Sequence, residues 1–300
     1  MPTEREHVRL SVVIPTVDRP TLLPRAVRSV VEAGCAACEV IVVDDGKTPP
    51  DASLSDMPGV RVITNTGRKG APSARNLGVE SARGEVILFL DDDEMKPHYP
   101  QRVLDIASGA QGALWGASAV TVKYPDGRTE VAAHKLSPGL QQTNRNFRRK
   151  IFAASAGFWV RRNLYIESGR FDPDLWLEDD TEFCCRMLGA GHEPWYETEP
   201  GVVIHRNWSA DGHTGQLTRV TRPEWTLACY LATFQRHARS LAGYPGASYF
   251  LAHRLVRRAT AFGLPVDLPN VLSELPGKII KARLLAYWAW RKIEKRGDRE

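Results

Sequence analysis

Val86-Ile87-Leu88-Phe89-Leu90-Asp91-Asp92-Asp93-Glu94 is the stretch that decides how this chain is read. Five apolar residues run without a polar break, and four acids follow them directly. A strand that is apolar on both faces belongs in a parallel sheet covered by helices on each side. Adjacent carboxylates repel one another, so the acidic run needs compensation. Hard divalent cations, which bind carboxylate oxygens alongside phosphates, supply one form of it. A solvated acidic turn is the plainer explanation for a cluster that stands alone, so the neighbouring segments carry the decision.

Upstream, Leu10-Ser11-Val12-Val13-Ile14-Pro15 reads as a buried strand, and Glu39 to Asp44 and Val60 to Ile63 as two more. Between the first two, Leu23, Ala26, Val27, Val30 and Val31 recur at helical spacing over Leu22 to Ala33, with Gly34 as the stop. Ser73 to Ala82 reads as a helix ended before Gly84, and another helix follows Pro97. Alternating apolar strands and helices predict an α/β fold with a mostly parallel sheet flanked by helices. Ligands of such sheets bind at the carboxyl ends of the strands. Three polar segments fall there: Thr16 to Asp18, Asp44 to Gly46 and Asp91 to Asp93.

Downstream, Ser118 to Val131 reads as a hairpin turned by Pro125-Asp126-Gly127. Lys135 to Lys150 reads as a polar, basic, mobile loop. Glu178-Asp179-Asp180 opens a helix running to Gly189, and Gly201 to His205 reads as a short strand. Thr221-Arg222-Pro223-Glu224 has capping-box spacing and predicts a helix to Ser240. Tyr249 to Phe262 and Gly277 to Lys295 read as two further helices.

Composition bounds the rest. The 300 residues are 43% hydrophobic and 25% charged, ordinary for a globular protein. No apolar run approaches the ~18 residues of a spanning helix, and the charged N-terminus, Met1 to Leu10, lacks a signal core. These features predict a cytoplasmic protein. The five cysteines read as buried thiols of a reducing compartment, including Cys35 and Cys38, whose spacing lacks the second pair that a zinc site needs. Lys278 to Glu300 holds eight Lys/Arg and three acids, which accounts for the entire net charge of +5. With the body neutral, nucleic-acid binding is not expected. Ile280, Leu284, Tyr287 and Trp288 recur at helical spacing in this basic tail. They fit either a peripheral contact with an anionic membrane through residues 278–300 or packing against the protein's own body.

Each polar segment has a chemical and a structural explanation. Asp44-Asp45-Gly46 suits a base N–H or ribose hydroxyl, and equally an ordinary turn. Gly67 to Asn76 is a basic, glycine-bearing loop entering a helix N-terminus, a place that favours anions. Lys69 and Arg75 there suit a diphosphate, although the loop is neither a Walker nor a dinucleotide fingerprint. Glu178-Asp179-Asp180 is either plain helix capping or a general base with a neighbour-raised pKa. His205 is either structural or a metal ligand completing a site on Asp93, with His213 competing. Trp159, Trp176, Trp195 and Trp208 are core residues by default and sugar-stacking platforms otherwise.

Five segments then agree in order: Ser11 to Thr16, Val43 to Gly46, Ser73 to Gly78, Leu90 to Asp93, and Asp179 to Arg186. This ordered set resembles glycosyltransferase family 2, inverting enzymes of the GT-A fold, over roughly residues 9–210. The resemblance implies a GT-A catalytic domain at 1–215 and a helical C-terminal extension at 216–300. Within the domain, 1–110 would bind the nucleotide sugar and 111–215 the acceptor. It implies a nucleoside-diphosphate-sugar donor, with Pro15, Thr16, Asp18, Arg19, Asp45, Lys69, Arg75, Asp91 and Asp92 contacting it. It implies a manganese or magnesium ion on Asp93 and His205. The family's base lies six residues before a helical arginine; counting back from Arg186 reaches Asp180, with Asp179 second. Gly157, Phe158, Trp159 and Trp176 would face a hydroxyl acceptor, polysaccharide or lipid-linked, and Ala156 to Phe158 with Gly169 to Asp172 matches the acceptor-side segment. Sugar-nucleotide nucleotidyltransferases, non-catalytic nucleotide or glycan binders, and retaining GT-A transferases are the rival readings.

Overall fold

The computed structural model describes residues 8–154, 157–206, 222–241 and 243–297, with side chains up to Arg291. Ala156, Trp208, His213 and Thr221, all named above, lie outside the described residues, as do the two ends of the chain.

The expected N-terminal alternation is present. β1 (Leu10–Thr16) leads to α1 (Leu22–Glu32), β2 (Cys38–Asp44) and β3 (Val60–Thr64). α2 (Ala71–Ser81), β4 (Val86–Phe89), the two-residue β5 (Glu94–Met95) and α3 (Tyr99–Ser108) follow. β1, β2 and β4 are buried on both faces, as their runs of Val, Ile and Leu require. α1 turns Leu23, Ala26, Val27 and Val30 into that core. α2 approaches β1 so closely that a Cβ at Gly78 would lie 2.4 Å from Val13 Cγ1. Only glycine admits that approach.

The second half of the sheet was poorly legible. β6 (Trp115–Lys123) and β7 (Thr129–Ala132) form the expected hairpin, while β8 (Gly139–Leu140) and β9 (Trp159–Arg161) are short additions. The final strand, β10 (Trp195–His205), begins six residues before the expected Gly201 and carries an irregularity between Glu197 and Val202. The sheet order is β3-β2-β1-β4-β9-β6-β10-β5, with β7 on β6 and β8 on β10. β3, β2, β1 and β4 are parallel, β9 is antiparallel to both β4 and β6, and β6 and β10 are parallel again.

The helices after β9 are α4 (Arg162–Glu167), α5 (Asp179–Gly189), α6 (Pro223–His237), α7 (Ala247–Phe262), α8 (Leu268–Ser273) and α9 (Lys278–Gly297). α6 starts on Arg222 as N-cap, without a side-chain cap, and Pro223 sets the first turn; the expected capping box involves Thr221, outside the described residues. Lys135 to Lys150 is more than a loop. It holds β8 and a 3₁₀ turn at Phe147–Lys150, where Phe147 and Lys150 are buried and the Lys150 ammonium donates to the Thr143 carbonyl.

The chain divides into two compact units, and not by a single cut near 215. The sheet unit comprises Met1–Gln142, Phe152–Pro173 and His192–Thr214. The helical unit comprises Thr143–Ile151, Asp174–Gly191 and Gly215–Glu300, and so includes α5. Inside the helical unit, α5 packs on α6, α6 on α7, and α7 on α9.

One cysteine expectation is corrected. Cys35 and Cys38 are bridged, while Cys184, Cys185 and Cys229 are buried thiols as expected. The turn between α1 and β2, closed by Gly34 at φ 67° and a Cys38 N–H to Cys35 carbonyl bond of 3.1 Å, brings the two Cα atoms to 5.4 Å, within bridging range.

Candidate active site

In the sheet unit, strand register builds a polar edge. Thr16 pairs with Asp44, and Asp44 with Thr64, so the carboxyl ends of β1, β2 and β3 are level. A pocket of about 200 Å³ opens there, lined by Thr16, Asp18, Arg19, Asp44, Pro50 and Leu54 among others. Thr16 is 5% exposed, and its Oγ1 has no hydrogen-bond partner among the described residues. A buried hydroxyl left unpaired in a pocket is a natural place for a ligand's polar group. Asp18 sits at φ 50°, and its Oδ1 accepts from the Lys47 and Thr48 N–H groups at 3.0 and 2.9 Å. It therefore ties the loop after β2 to the end of β1. Pro15 lies in β1 itself, paired with Val43.

Asp45 is more committed than its position in sequence suggested. Its Oδ1 accepts from Asn65 Nδ2 and its Oδ2 from the Gly70 N–H, both at 2.6 Å. Gly70 is the N-cap of α2, so the anion expected at that helix start is Asp45 itself. Lys69 Nζ donates to the Asn65 carbonyl at 2.6 Å and lies 3.7 Å from Asp45, with its side chain 48% exposed. Asn65 bonds both Asp45 and Lys69 and was not foreseen. The only signal for it was its place one residue beyond β3, level with the loop after Asp44.

The three aspartates after β4 differ in compensation. Asp91 takes a two-pronged ion pair from Arg75 Nη2 at 2.9 and 3.2 Å. Arg75 is buried with its guanidinium 5.8 Å from the Phe171 ring. It thus orients Asp91, where a diphosphate contact was expected. Asp92 lies 3.4 Å from Arg19 Nε; burial and Asp91 raise its pKa. Asp93 receives the His205 backbone N–H at 3.1 Å. Burial first, then Asp92, push its pKa up to about 8.

The register of the shortest strand explains that last contact. β5 pairs antiparallel with β10, Glu94 opposite Val203 and Met95 opposite Val202. Continuing the ladder brings Asp93 to the end of β10. There the His205 ring reaches Glu94, with Nε2 at 2.7 Å from Oε1. Burial lowers the pKa of His205, favouring the neutral imidazole.

These groups can be tested against a divalent ion. Among the described residues, no three His, Cys, Asp or Glu side chains form a complete metal site. What exists is a buried carboxylate whose ionisation is unfavourable as it stands, beside a neutral imidazole already bonded to Glu94. That donor set fits an ion that completes its shell with phosphate oxygens.

In the helical unit, the second acidic run opens α5. Glu178 is the N-cap, at φ 78°. Its buried carboxylate takes Arg254 Nη2, while Arg254 Nη1 donates to Thr181 Oγ1 at 3.1 Å. Burial raises the pKa of Glu178 to about 7 even against the opposing Arg254 charge. The Arg254 guanidinium lies between the rings of Tyr230 and Phe250, at 5.1 and 5.3 Å. Nothing in the sequence announced Arg254. Asp179 is buried, whereas Asp180 is half-buried and accepts the Thr181 N–H at 2.6 Å. Glu182 is buried too; His237 Nε2 lies at 3.0 Å, and Arg186 Nε contacts both of its oxygens at 3.0 and 2.9 Å. Burial raises its pKa, and these bonds more than offset the rise.

The expected acceptor residues divide. Trp159 and Phe158 are core side chains, 0% and 1% exposed; Trp159 packs in the main apolar cluster, and Phe158 lies 6.2 Å from Phe89 and 5.7 Å from Trp115. Their rings offer no face to a sugar. Gly157, at φ 65°, lets its backbone accept the Tyr99 hydroxyl at 2.6 Å. Trp176, in the helical unit, is 37% exposed and keeps a ring available.

The Glycosyl transferase family 2 model matches residues 11–169. The chain is 27% identical over 272 residues to the succinoglycan biosynthesis protein ExoO of Rhizobium meliloti, covering 82% of this chain and 77% of that protein. A 92-residue stretch, 29% of this chain and 30% of the relative, is 33% identical to the GalNAc(5)-diNAcBac-PP-undecaprenol beta-1,3-glucosyltransferase of Campylobacter jejuni. The S. aureus TarS 1–349 structure in complex with UDP-GlcNAc superposes with a TM-score of 0.63 at 17% identity, over 89% of this chain and 82% of that one. The likeness extends the GT-A-type fold across both halves of the sheet.

Proposed function

The chain belongs to glycosyltransferase family 2 and is a transferase; on that premise we propose that it moves a sugar from a nucleoside-diphosphate sugar to an acceptor hydroxyl with inversion. The observation that carries the donor side is Asp93, a buried carboxylate held at a strand end, where burial and Asp92 outweigh the attraction of Arg25. Thr16 and the pocket beside it take the nucleoside, with Asp18 shaping the wall and Pro15 in the strand that ends there. Asp45 orders the loop carrying Lys69, whose half-exposed ammonium would turn toward a phosphate by exchanging its bond to the Asn65 carbonyl. Arg75 fixes Asp91, and Arg19 fixes Asp92, so that both acids face the donor in one orientation.

Asp93 would hold manganese or magnesium, and His205 would join it by exchanging its bond to Glu94. The chemistry such an ion supplies is neutralisation of the charge that grows on a departing diphosphate. Asp180 accepts the proton of the attacking hydroxyl, with Asp179 as the second choice. A single base without a nucleophilic carboxylate partner gives direct displacement and inversion; the paired carboxylates of glycosidases do different work.

Family membership sets aside the nucleotidyltransferase and the non-catalytic binder. The acceptor is a polysaccharide or lipid-linked glycan, by analogy with the two relatives named above. A lipid-linked acceptor fits a peripheral membrane contact through residues 278–300 at the inner face of the membrane. A thermal-shift screen of nucleoside diphosphate sugars with manganese tests the reading, since a native-state ligand raises the melting temperature. The expected result is a metal-dependent shift for one donor class. No shift with any nucleotide sugar contradicts it.

A further inference from the structure

The membrane contact just proposed needs a surface, and the structure changes which surface that is. The periodic residues Ile280, Leu284, Tyr287 and Trp288 face inward. Leu284 is 0% exposed, the Tyr287 ring lies 4.2 Å from the His253 ring, and Arg283 lies over Tyr249 at 4.7 Å. His253 and Tyr249 belong to α7, so this face of α9 is already covered within the helical unit.

The opposite face is apolar as well. Ile279 is 85% exposed, Leu285 41% and Trp290 53%. Ala282, Ala286 and Ala289 lie between them and are all exposed. At about 100° per residue these six positions share one arc of roughly 140°. Lys281 borders the arc on one side and Arg283 on the other, and Lys278 stands within it near Leu285. Among the described residues no helix is long and apolar enough to cross a membrane. An exposed arc of Ile, Leu and Trp on the most basic segment of the chain is built instead to lie on a surface. Trp suits the interface between lipid headgroups and tails, and the cationic borders suit anionic headgroups.

We propose that the outward face of α9, centred on Ile279, Leu285 and Trp290, is a docking surface for an anionic lipid bilayer. It rests on the reading of residues 278–300 as a membrane contact and is independent of the transfer chemistry. Its logic is charge complementarity joined to apolar exposure. The eight Lys/Arg of 278–300 draw the segment to the surface, and the arc then enters the interface.

The test is co-sedimentation of the full chain with vesicles of equal parts phosphatidylglycerol and phosphatidylcholine, and with vesicles of phosphatidylcholine alone. The expected result is pelleting with the anionic vesicles, weakened by salt, and little with the neutral ones. Ile279→Glu with Trp290→Glu should lower binding about tenfold or more. Lys278→Glu with Lys281→Glu should act in the same direction and by a similar factor. All four positions lie at the surface of α9, so folding is checked by an unchanged melting temperature. Nucleotide-sugar thermal shifts should be the same in every variant, which separates this proposal from the transferase reading. Equal pelleting of wild type and both double variants overturns it. So does a concentration-dependent dimer that Trp290→Glu dissolves while vesicle binding is unmoved, since the arc would then meet a second copy of the chain.

Discussion

The chain contains two acidic triplets that look alike in sequence, Asp91-Asp92-Asp93 and Glu178-Asp179-Asp180, and their surroundings treat them in opposite ways. In the sheet unit, cations pair directly with the first two members, whereas the last takes a backbone N–H and only a longer-range attraction from Arg25. In the helical unit, a cation attends the first member, and the last lies half-buried at a helix N-terminus. Asp93, the member of the first triplet whose ionisation is least favoured, is the one proposed to hold a metal ion. The half-buried Asp180 of the second triplet is the one proposed as base. The lesson is that acidity in a sequence is not yet a function; the surroundings of each carboxylate decide the role.

The largest way to break this comparison is to remove Asp93. Asp93→Ala should lower transfer at least about a thousandfold and abolish the manganese-dependent thermal shift, since metal assistance and charge stabilisation carry several kcal/mol of the barrier. A variant that still shifts with manganese would move the metal elsewhere. Next in size is Arg254→Met, which strands the Glu178 carboxylate in a buried site. Removing one partner of a buried pair costs about 3–5 kcal/mol, read by urea denaturation at neutral pH. An unchanged midpoint would mean that Arg254 does not stabilise the start of α5.

The pH dependence sharpens the contrast further. The Asp93 carboxyl of the metal-free protein titrates at about 8, against 3.8 for the ordinary group. Between those values the folded state holds a proton that the unfolded chain has lost, so stability falls as pH rises through that window. Asp93→Asn should flatten this slope. Manganese must displace the same proton, so its affinity should rise about tenfold per pH unit and level off near 8. Calorimetry in buffers of different ionisation enthalpy reads the released proton directly. The smallest effect belongs to Trp176. Trp176→Ala should raise the acceptor KM about fivefold, the low end of the about 1–3 kcal/mol of a lost stacking contact, and leave donor binding unchanged.

The parallel half of the sheet was legible because its strands are long, apolar and β-branched, and because Gly34 closes the first helix. The rest was hidden for identifiable reasons. β5, β8 and β9 are two or three residues long, too short for any periodicity, yet β5 sets Asp93 beside His205. Arg254 meets Glu178 across 76 residues of chain with no local mark. The helical unit gathers 143–151 and 174–191 from the middle of the sequence, which no single boundary near 215 could express. In α9 the apolar period was read correctly and its direction was left open, because periodicity finds a face without saying what covers it. Phe158 and Trp159 show the same limit: aromatic residues near an acceptor segment turned out to be core.

The most direct test of the two-triplet account is the Asp180→Asn chain, assayed for donor-and-manganese binding and for transfer on one preparation. The account predicts binding within a few-fold of wild type and transfer lowered by about a thousandfold, the scale of a lost general base. Transfer within tenfold of wild type, with Asp179→Asn inactive, would contradict it and move the base to Asp179.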